Sequence, residues 1–260
     1  MKISVRPVMP NEVLFPRIAE NCAKYDRRLR KLEPHEGIAV IVGGGPSMRH
    51  RIQPIQSRAA EGQTIFALNG ACGFLNKHGI MPDYQVLLDP QPFLTRYIGN
   101  AREYLVSSQC DPLVLAATPE PVLGHVATEG AEEATPHHPD GDCLVGGGLT
   151  VGLCSMCLVY TLGYRKMHLY GFDSSCEDDT DHAYPSPSGI NERPDGAPVV
   201  VAELFGNKYR TTWSLAAQAE TFPKVCNDLI DAGCTISVHS EGLIMAVVRE
   251  MQCPTLQPVS

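Results

Sequence analysis

Residues 37–47, GIAVIVGGGPS, constrain the fold more than any other stretch of the chain. Ile38, Val40, Ile41 and Val42 make an apolar, β-branched run, the pattern of a strand covered on both faces. The run meets three glycines, then Pro46 and Ser47. Glycines let the backbone bend tightly and approach a neighbour that a side chain would push away. Amide hydrogens left bare at such a bend, above all where a helix starts, form an anion cradle. The bend is therefore expected to hold a phosphate, and the protein to use a nucleotide.

From Gly37 onward, strand and helix patterns alternate, which implies a mostly parallel sheet. Further strands are read at 64–68 (TIFAL), 84–88 (YQVLL), 112–117 (PLVLAA), 165–170 (RKMHLY) and 234–238 (CTISV). Helices are read over 11–32, 49–60, 71–78, 93–105, 150–162, 213–231 and 243–250, with Gly79 and Gly163 as C-terminal stops. Residues 120–141 have no clear period and read as a surface excursion. Residues 199–204 and 208–211 suit a hairpin across Phe205-Gly206-Asn207. The expected fold class is α/β: a Rossmann-like, mostly parallel sheet with helices on both faces and a C-terminal extension. Residues 1–36 form an N-terminal helical segment, residues 37–260 one nucleotide-binding transferase domain, and 174–196 a lid loop. A polar loop of that length in a compact domain is usually functional or disordered.

The 260 residues carry a formal charge of −8, which argues against a protein that grips nucleic acid generally through phosphates. No apolar run approaches the ~18 residues of a membrane span. The first residues show no signal peptide, so a cytoplasmic protein is expected. Cys154 and Cys157 form a CxxC, but no second pair or neighbouring His completes a zinc set, and they read as helix core.

In open parallel sheets, ligands bind beyond the carboxyl ends of the strands. Gly43, Gly44, Gly45, Pro46 and Ser47 fall at such an end, as do Asn69, Asp89, Thr118 and Asp173. Gly147, Gly148 and Thr150 form a second glycine turn opening a helix, either a phosphate site or a packing device. Asp83, Asp89, Asp173, Glu177, Asp178, Asp179 and Asp181 are the carboxylates of interest, with Asp178, Asp179 and Asp181 reading equally as a solvated acidic loop. Were the reaction a diphosphate transfer, Asp89, Asp173 and Asp178 would hold Mg²⁺ against phosphate oxygens. His182, in DHAYP, suits a general base near neutral pH, with Tyr184 and Arg193 closing over a substrate. There is no Walker lysine, which excludes a P-loop NTPase.

GGGPS after one strand, Asn69 after the next, GIMPDYQVLLDPQ, and GGGLTVGLCSMCLVYTLGYRKMHLYGFDSS together resemble the MptE-like domain family. That family includes archaeal 6-hydroxymethylpterin pyrophosphokinases and the related catalytic domain of Maf flagellin glycosyltransferases. Both are similar to bacterial sialyltransferases that use a CMP-sugar. The resemblance covers residues 37–173 well and continues loosely to about Glu250. It implies that the GGGPS turn and Asn69 hold the nucleotide, with Gly44 standing where the sialyltransferases carry Asn. It also implies a His base and tyrosines on the departing phosphate, roles that His182 and Tyr184 could fill. LLDPQ carries one Asp where the pyrophosphokinases carry two, and looks more like the Maf-type sequence.

The expected function is a nucleotide-dependent transferase, glycosyltransferase-like, moving a sugar from a nucleotide-sugar to an unknown hydroxyl acceptor. His182 would be the base, and Asp89 and Asp173 would contact ribose, acceptor or metal. The alternatives are diphosphate transfer from ATP to a hydroxymethyl-pterin-like ring with Mg²⁺, and a non-catalytic nucleotide-binding module. The partner is a small-molecule donor; homo-oligomerisation stays open.

Overall fold

The computed structural model describes residues 9–127, 131–147, 150–178, 180–184, 200–251, 253 and 255–259. Strand β1 (His35–Val42) lies in a nine-stranded sheet with β2 (Thr64–Leu68), β3 (Tyr84–Leu87), β4 (Glu103–Ser107), β5 (Val122–Ala127), β6 (Leu144–Gly146), β7 (Tyr164–Tyr170), β10 (Thr235–Val238) and β11 (Leu256–Pro258). The spatial order is β11-β10-β7-β1-β2-β3-β4-β5-β6, and every pairing is parallel. Strands β8 (Val200–Leu204) and β9 (Asn207–Thr211) form a separate antiparallel hairpin.

Alternation along the central strands divides the core in two. Ala39, Ile41, Phe66 and Leu68 face one side, where α5 (Val151–Thr161), α6 (Trp213–Asp231) and α7 (Gly242–Met251) pack. Val40, Val42, Ile65 and Ala67 face the other, under α2 (Ile52–Ala60) and α3 (Ala71–Lys77). A sheet apolar on both faces needs helices on both, which is why these strands read as unbroken apolar runs. Helix α1 (Asn11–Lys24) precedes the sheet. Its Asn21 donates to the carbonyls of Ser108 and Cys110, at 2.8 and 2.9 Å, and Leu29 beyond it enters the main core.

Several stretches differ from the sequence expectation. The N-terminal helix ends at Lys24 rather than at 32. Residues 120–141 are not wholly a surface excursion: β5 pairs in parallel with β4 and β6 inside the sheet, and Leu123 is buried. Residues 112–117 are helix α4 (Pro112–Ala117), not a strand. Asp111 caps it by accepting from the Leu113 amide at 3.0 Å, and Pro112 fits the first helical position, where no N–H is needed. Thr118 therefore ends a helix rather than a strand, and its hydroxyl donates to the Val114 carbonyl at 2.7 Å. Residues 93–105 are not one helix. A 3-10 turn over Pro92–Tyr97 is followed by β4, because EYLVS finds a parallel partner in β3. The short strands β6 and β11 carried too few residues to announce themselves.

Behind the sheet, His168 on β7 contacts His239 after β10, Nδ1 to Nε2, at 2.8 Å. His239 stacks on Tyr170 with ring centres 4.4 Å apart, and the Arg58 guanidinium, which donates to the Tyr170 hydroxyl, sits 3.5 Å from His239 Nε2. An arginine can only donate, so Nε2 accepts and the ring is neutral. Burial first, then Arg58, lowers His168 to about 4. Burial, then His168 and Arg58, lowers His239 to about 3. Unfolding returns both to ~6.5 and takes up protons. Stability is thus whole above pH ~6.5 and falls as pH drops toward 4, by up to ~1.4 kcal/mol per pH unit for each histidine. Denaturant melts across pH 7 to 4 should show that slope, and His239→Gln should flatten it.

Candidate functional site

Connections run outward from β1 to β6 on one side and return to β7 on the other. The point of reversal, between β1 and β7, is where open α/β sheets bind ligands. Two glycine bends meet there. The Gly45 amide donates to the Gly171 carbonyl at 2.9 Å, and the Gly43 amide to the Tyr170 carbonyl at 2.8 Å. A Cβ on Gly45 would lie 2.5 Å from Asp173 Oδ2, and one on Gly43 would lie 2.7 Å from the Gly171 oxygen. Gly171 itself has φ of +66°. Glycine is required here by close approach of two backbones.

Asp173 fastens this junction. It is 2% exposed. Oδ2 accepts from the Ser47 amide at 2.7 Å; Oδ1 accepts from the Ser47 hydroxyl at 2.6 Å and the Glu241 amide at 3.0 Å. Burial pushes its carboxyl up, opposed by these donors. The carboxylate ties β7 to the segments after β1 and before α7.

A third segment covers the bend. The Ala183 amide donates to the Gly44 carbonyl at 2.9 Å. Arg49 donates to the carbonyls of Ala183 and His182 at 2.9 and 2.7 Å, and to the Thr180 hydroxyl at 3.2 Å. His182 and Tyr184 are thereby brought over Gly44, where an added Cβ would meet the Tyr184 hydroxyl at 2.6 Å and the His182 ring at 2.7 Å. His182 Nδ1 lies 2.8 Å from Asp181 Oδ1. Among the described residues Nε2 has no partner. Burial, then Tyr97 and Asp181, drives Tyr184 upward, so its hydroxyl stays protonated.

These elements enclose a cavity of about 240 Å³. One wall is the start of α5, where Thr150 caps the Leu153 amide at 3.4 Å and Val151 and Gly152 line the space. The first amides of a helix point outward and favour anions. Part of the lining is aromatic, from Phe93, Tyr97 and Tyr184. Asn69 lines the cavity with φ of +46° and a buried Oδ1 that has no partner. Gln85 holds that strained residue by donating to its carbonyl at 2.9 Å. Ser174, φ +52°, has an unpartnered buried hydroxyl on the same cavity. Unsatisfied buried polar atoms are costly and rare, and here both belong to residues that line the cavity.

The sequence matches the family described as 6-hydroxymethylpterin diphosphokinase MptE-like over residues 14–179, more than half of the chain. The chain belongs to the MptE-like family. Among solved structures, a MAf glycosyltransferase from Magnetospirillum magneticum AMB-1 has the same fold, with a TM-score of 0.70 and 17% identity. The match covers 96% of this chain but 38% of that one, so the present chain spans under two fifths of its neighbour's length. No curated protein matches.

In this MptE-like chain, Gly43, Gly44, Gly45, Asn69, Thr150, Asp173, His182 and Tyr184 share one cavity. Other expected residues stand elsewhere. The expectation that the triple-glycine amides cradle phosphate needs correction: the Gly43, Gly45 and Ser47 amides already donate to the protein, and Pro46 has none. Only the Gly44 amide lacks a partner among the described residues. Pro46 and Ser47 line an adjoining hollow of about 450 Å³ together with Asp178. Asp89 is outside the cavity lining; it accepts from the Gln91 amide at 2.9 Å, and burial raises its carboxyl. Asp89, Asp173 and Asp178 do not converge as a ligand set among the described residues. Gly147 follows β6 at the sheet edge and is not among the residues that line the cavity. Gly148, Arg193 and most of the expected lid lie outside the described residues, while its first part, through Tyr184, is fastened by Arg49. Sequence reasoning missed Ser174, Phe93, Tyr97 and Gln218 as cavity residues, whereas Asp181 was among its candidate carboxylates. Gln218, a polar residue on the buried face of α6, was a signal available to it.

Gly45→Ala should cost ~1–3 kcal/mol by forcing apart the two bends. Gly73→Ala on α3, where an added Cβ meets nothing within 4 Å, should instead gain ~0.5–1 kcal/mol. Urea melts of the pair compare them directly.

Proposed function

We propose that this protein is a nucleotide-dependent transferase, glycosyltransferase-like, moving a sugar from a nucleotide-sugar to a hydroxyl acceptor. The observation that carries the reading is the Asp181–His182 pair on the cavity wall, 2.8 Å apart, with the second ring nitrogen unengaged among the described residues. Asp181 holds Nδ1–H, so Nε2 is the lone-pair nitrogen that would take the acceptor's proton. The donor's phosphate would sit at the start of α5, on the amides of Val151 and Gly152, with the Gly44 amide beside it. Asn69 Oδ1 and Ser174 Oγ would bind the nucleoside hydroxyls or base edge, and Phe93 and Tyr97 would face its ring. The protonated Tyr184 hydroxyl is a donor suited to the departing phosphate oxygen. A lid from the segment after Asp173 would exclude water from the reacting centre and protect an activated sugar from hydrolysis.

Nucleotide binding supports or removes the frame of this reading. CMP, CDP, UDP, GDP, ADP and ATP, with and without Mg²⁺, should be compared by thermal shift. A true ligand at 100 times its dissociation constant adds ~2.7 kcal/mol. Asn69→Ala should lose ~1–3 kcal/mol of that binding. In transfer assays with the best donor, His182→Ala should lower kcat by ~10²–10⁴-fold with little change in KM. Absence of any nucleotide shift, or full turnover by His182→Ala, would sink the proposal.

A second reading is diphosphate transfer from ATP, as the family's description names. It is favoured by the adjoining hollow, where Asp173, Glu177, Asp178 and Glu241 stand with Lys208 and Arg210. Carboxylates with basic neighbours suit a magnesium nucleotide, and such chemistry is mostly positioning and charge neutralisation. Turnover with ATP alone, abolished by chelator and by Asp178→Asn, would select it.

A further inference from the structure

Between α1 and the 3-10 turn Ala131–His137, outside the cavity lining, three side chains converge: Cys22, His138 and Asp142. Cys22 lies near the end of α1. His138 follows the 3-10 turn Ala131–His137, and Asp142 comes one turn later. One ligand atom from each falls within 4.8 Å of the others. Cys22 Sγ is 3.6 Å from His138 Nδ1, and Asp142 Oδ2 is 3.1 Å from the same nitrogen. His138 Nε2 faces the Ser108 hydroxyl at 3.2 Å, and Arg28 Nε lies 3.4 Å from the other carboxylate oxygen of Asp142. The histidine side chain is 3% exposed and Asp142 11%.

Carrying a proton, Nδ1 donates to Asp142 and leaves the Cys22 thiol only a weak contact at 3.6 Å. A cation between them would engage all three groups, because thiolate, imidazole and carboxylate all present lone pairs to it. The spacing fits. With about 2.3 Å to sulfur and about 2.0–2.1 Å to nitrogen or oxygen, tetrahedral angles put sulfur about 3.6 Å and oxygen about 3.3 Å from the nitrogen. The surroundings fit as well. A metal on Nδ1 leaves the proton on Nε2, which donates to Ser108 and orients the ring, and Arg28 orients the carboxylate.

We propose that Cys22, His138 and Asp142 bind one divalent ion of the zinc class, fastening α1 to the segment between β5 and β6. Thiolate with imidazole selects a borderline-soft metal over Mg²⁺ or Ca²⁺. Binding exchanges the thiol proton for the metal, so one proton is released per ion at this cysteine. Water completes the fourth position.

The test is a titration of the metal-free full chain with Co²⁺, then Zn²⁺. One equivalent of Co²⁺ should bring in a thiolate-to-cobalt charge-transfer absorption that Zn²⁺ displaces, together with a higher Tm. Cys22→Ser should abolish the band, and Ser108→Ala should weaken affinity by ~10-fold or more. A wild-type chain with no band overturns the site, as does a band that survives in Cys22→Ser and so belongs to another of the ten cysteines. Where the variants do not fold, zinc-edge X-ray absorption of the wild type decides. One sulfur with nitrogen and oxygen neighbours upholds the site; two or more sulfurs, or none, refute it.

Discussion

The carboxylate of Asp173 holds the carboxyl end of the central strands together. Three donors from two distant segments converge on it, and it is buried almost completely. An isolated buried carboxylate is very costly, and one with three short hydrogen bonds is tolerable. The cost is offset only when β1, β7 and the turn before α7 are all in place, so the residue couples three parts of the chain. The interlocked bends at Gly43–Gly45 and Gly171 complete the junction. Around it the cavity takes shape, with the start of α5 on one side and the His182 segment above.

Such a junction explains why the cavity lies where it does. The reversal of strand order opens a crevice that neither helix layer fills. Asn69 and Ser174 sit on its rim in left-handed backbone conformations with unpartnered polar atoms. Strain and unmet hydrogen bonding persist where the surrounding packing over-determines them, as Gln85 does for Asn69. The hairpin β8–β9 shares the same framework: Arg210 donates to the Asp178 carbonyl, and Thr211 to that of Ser174.

Much of the fold was legible from local pattern. β2 and α6 match the sequence reading to the residue, and the apolar run of β1 marked a buried parallel strand. The errors at 93–105 and 112–117 share one cause. PLVLAA and EYLVS are both short apolar runs, for which periodicity cannot separate helix from strand. Asp111-Pro112 decided the first locally, as a helix start that the reading overlooked. Pairing with β3 decided the second, and no local signal carries that.

For the site, the chain by itself determined which residues stand at strand ends, because a strand's length and its terminating glycine or polar residue are local. That is why Gly43–Gly45, Asn69 and Asp173 could be named. Only the tertiary structure decided what each does there. Whether an amide hydrogen is bare or taken depends on a partner more than a hundred residues away, as Ser47 and Asp173 demonstrate. The same dependence removed Asp89 from the cavity, brought Ser174 and Asp181 into it, and set His182 against its aspartate over Gly44.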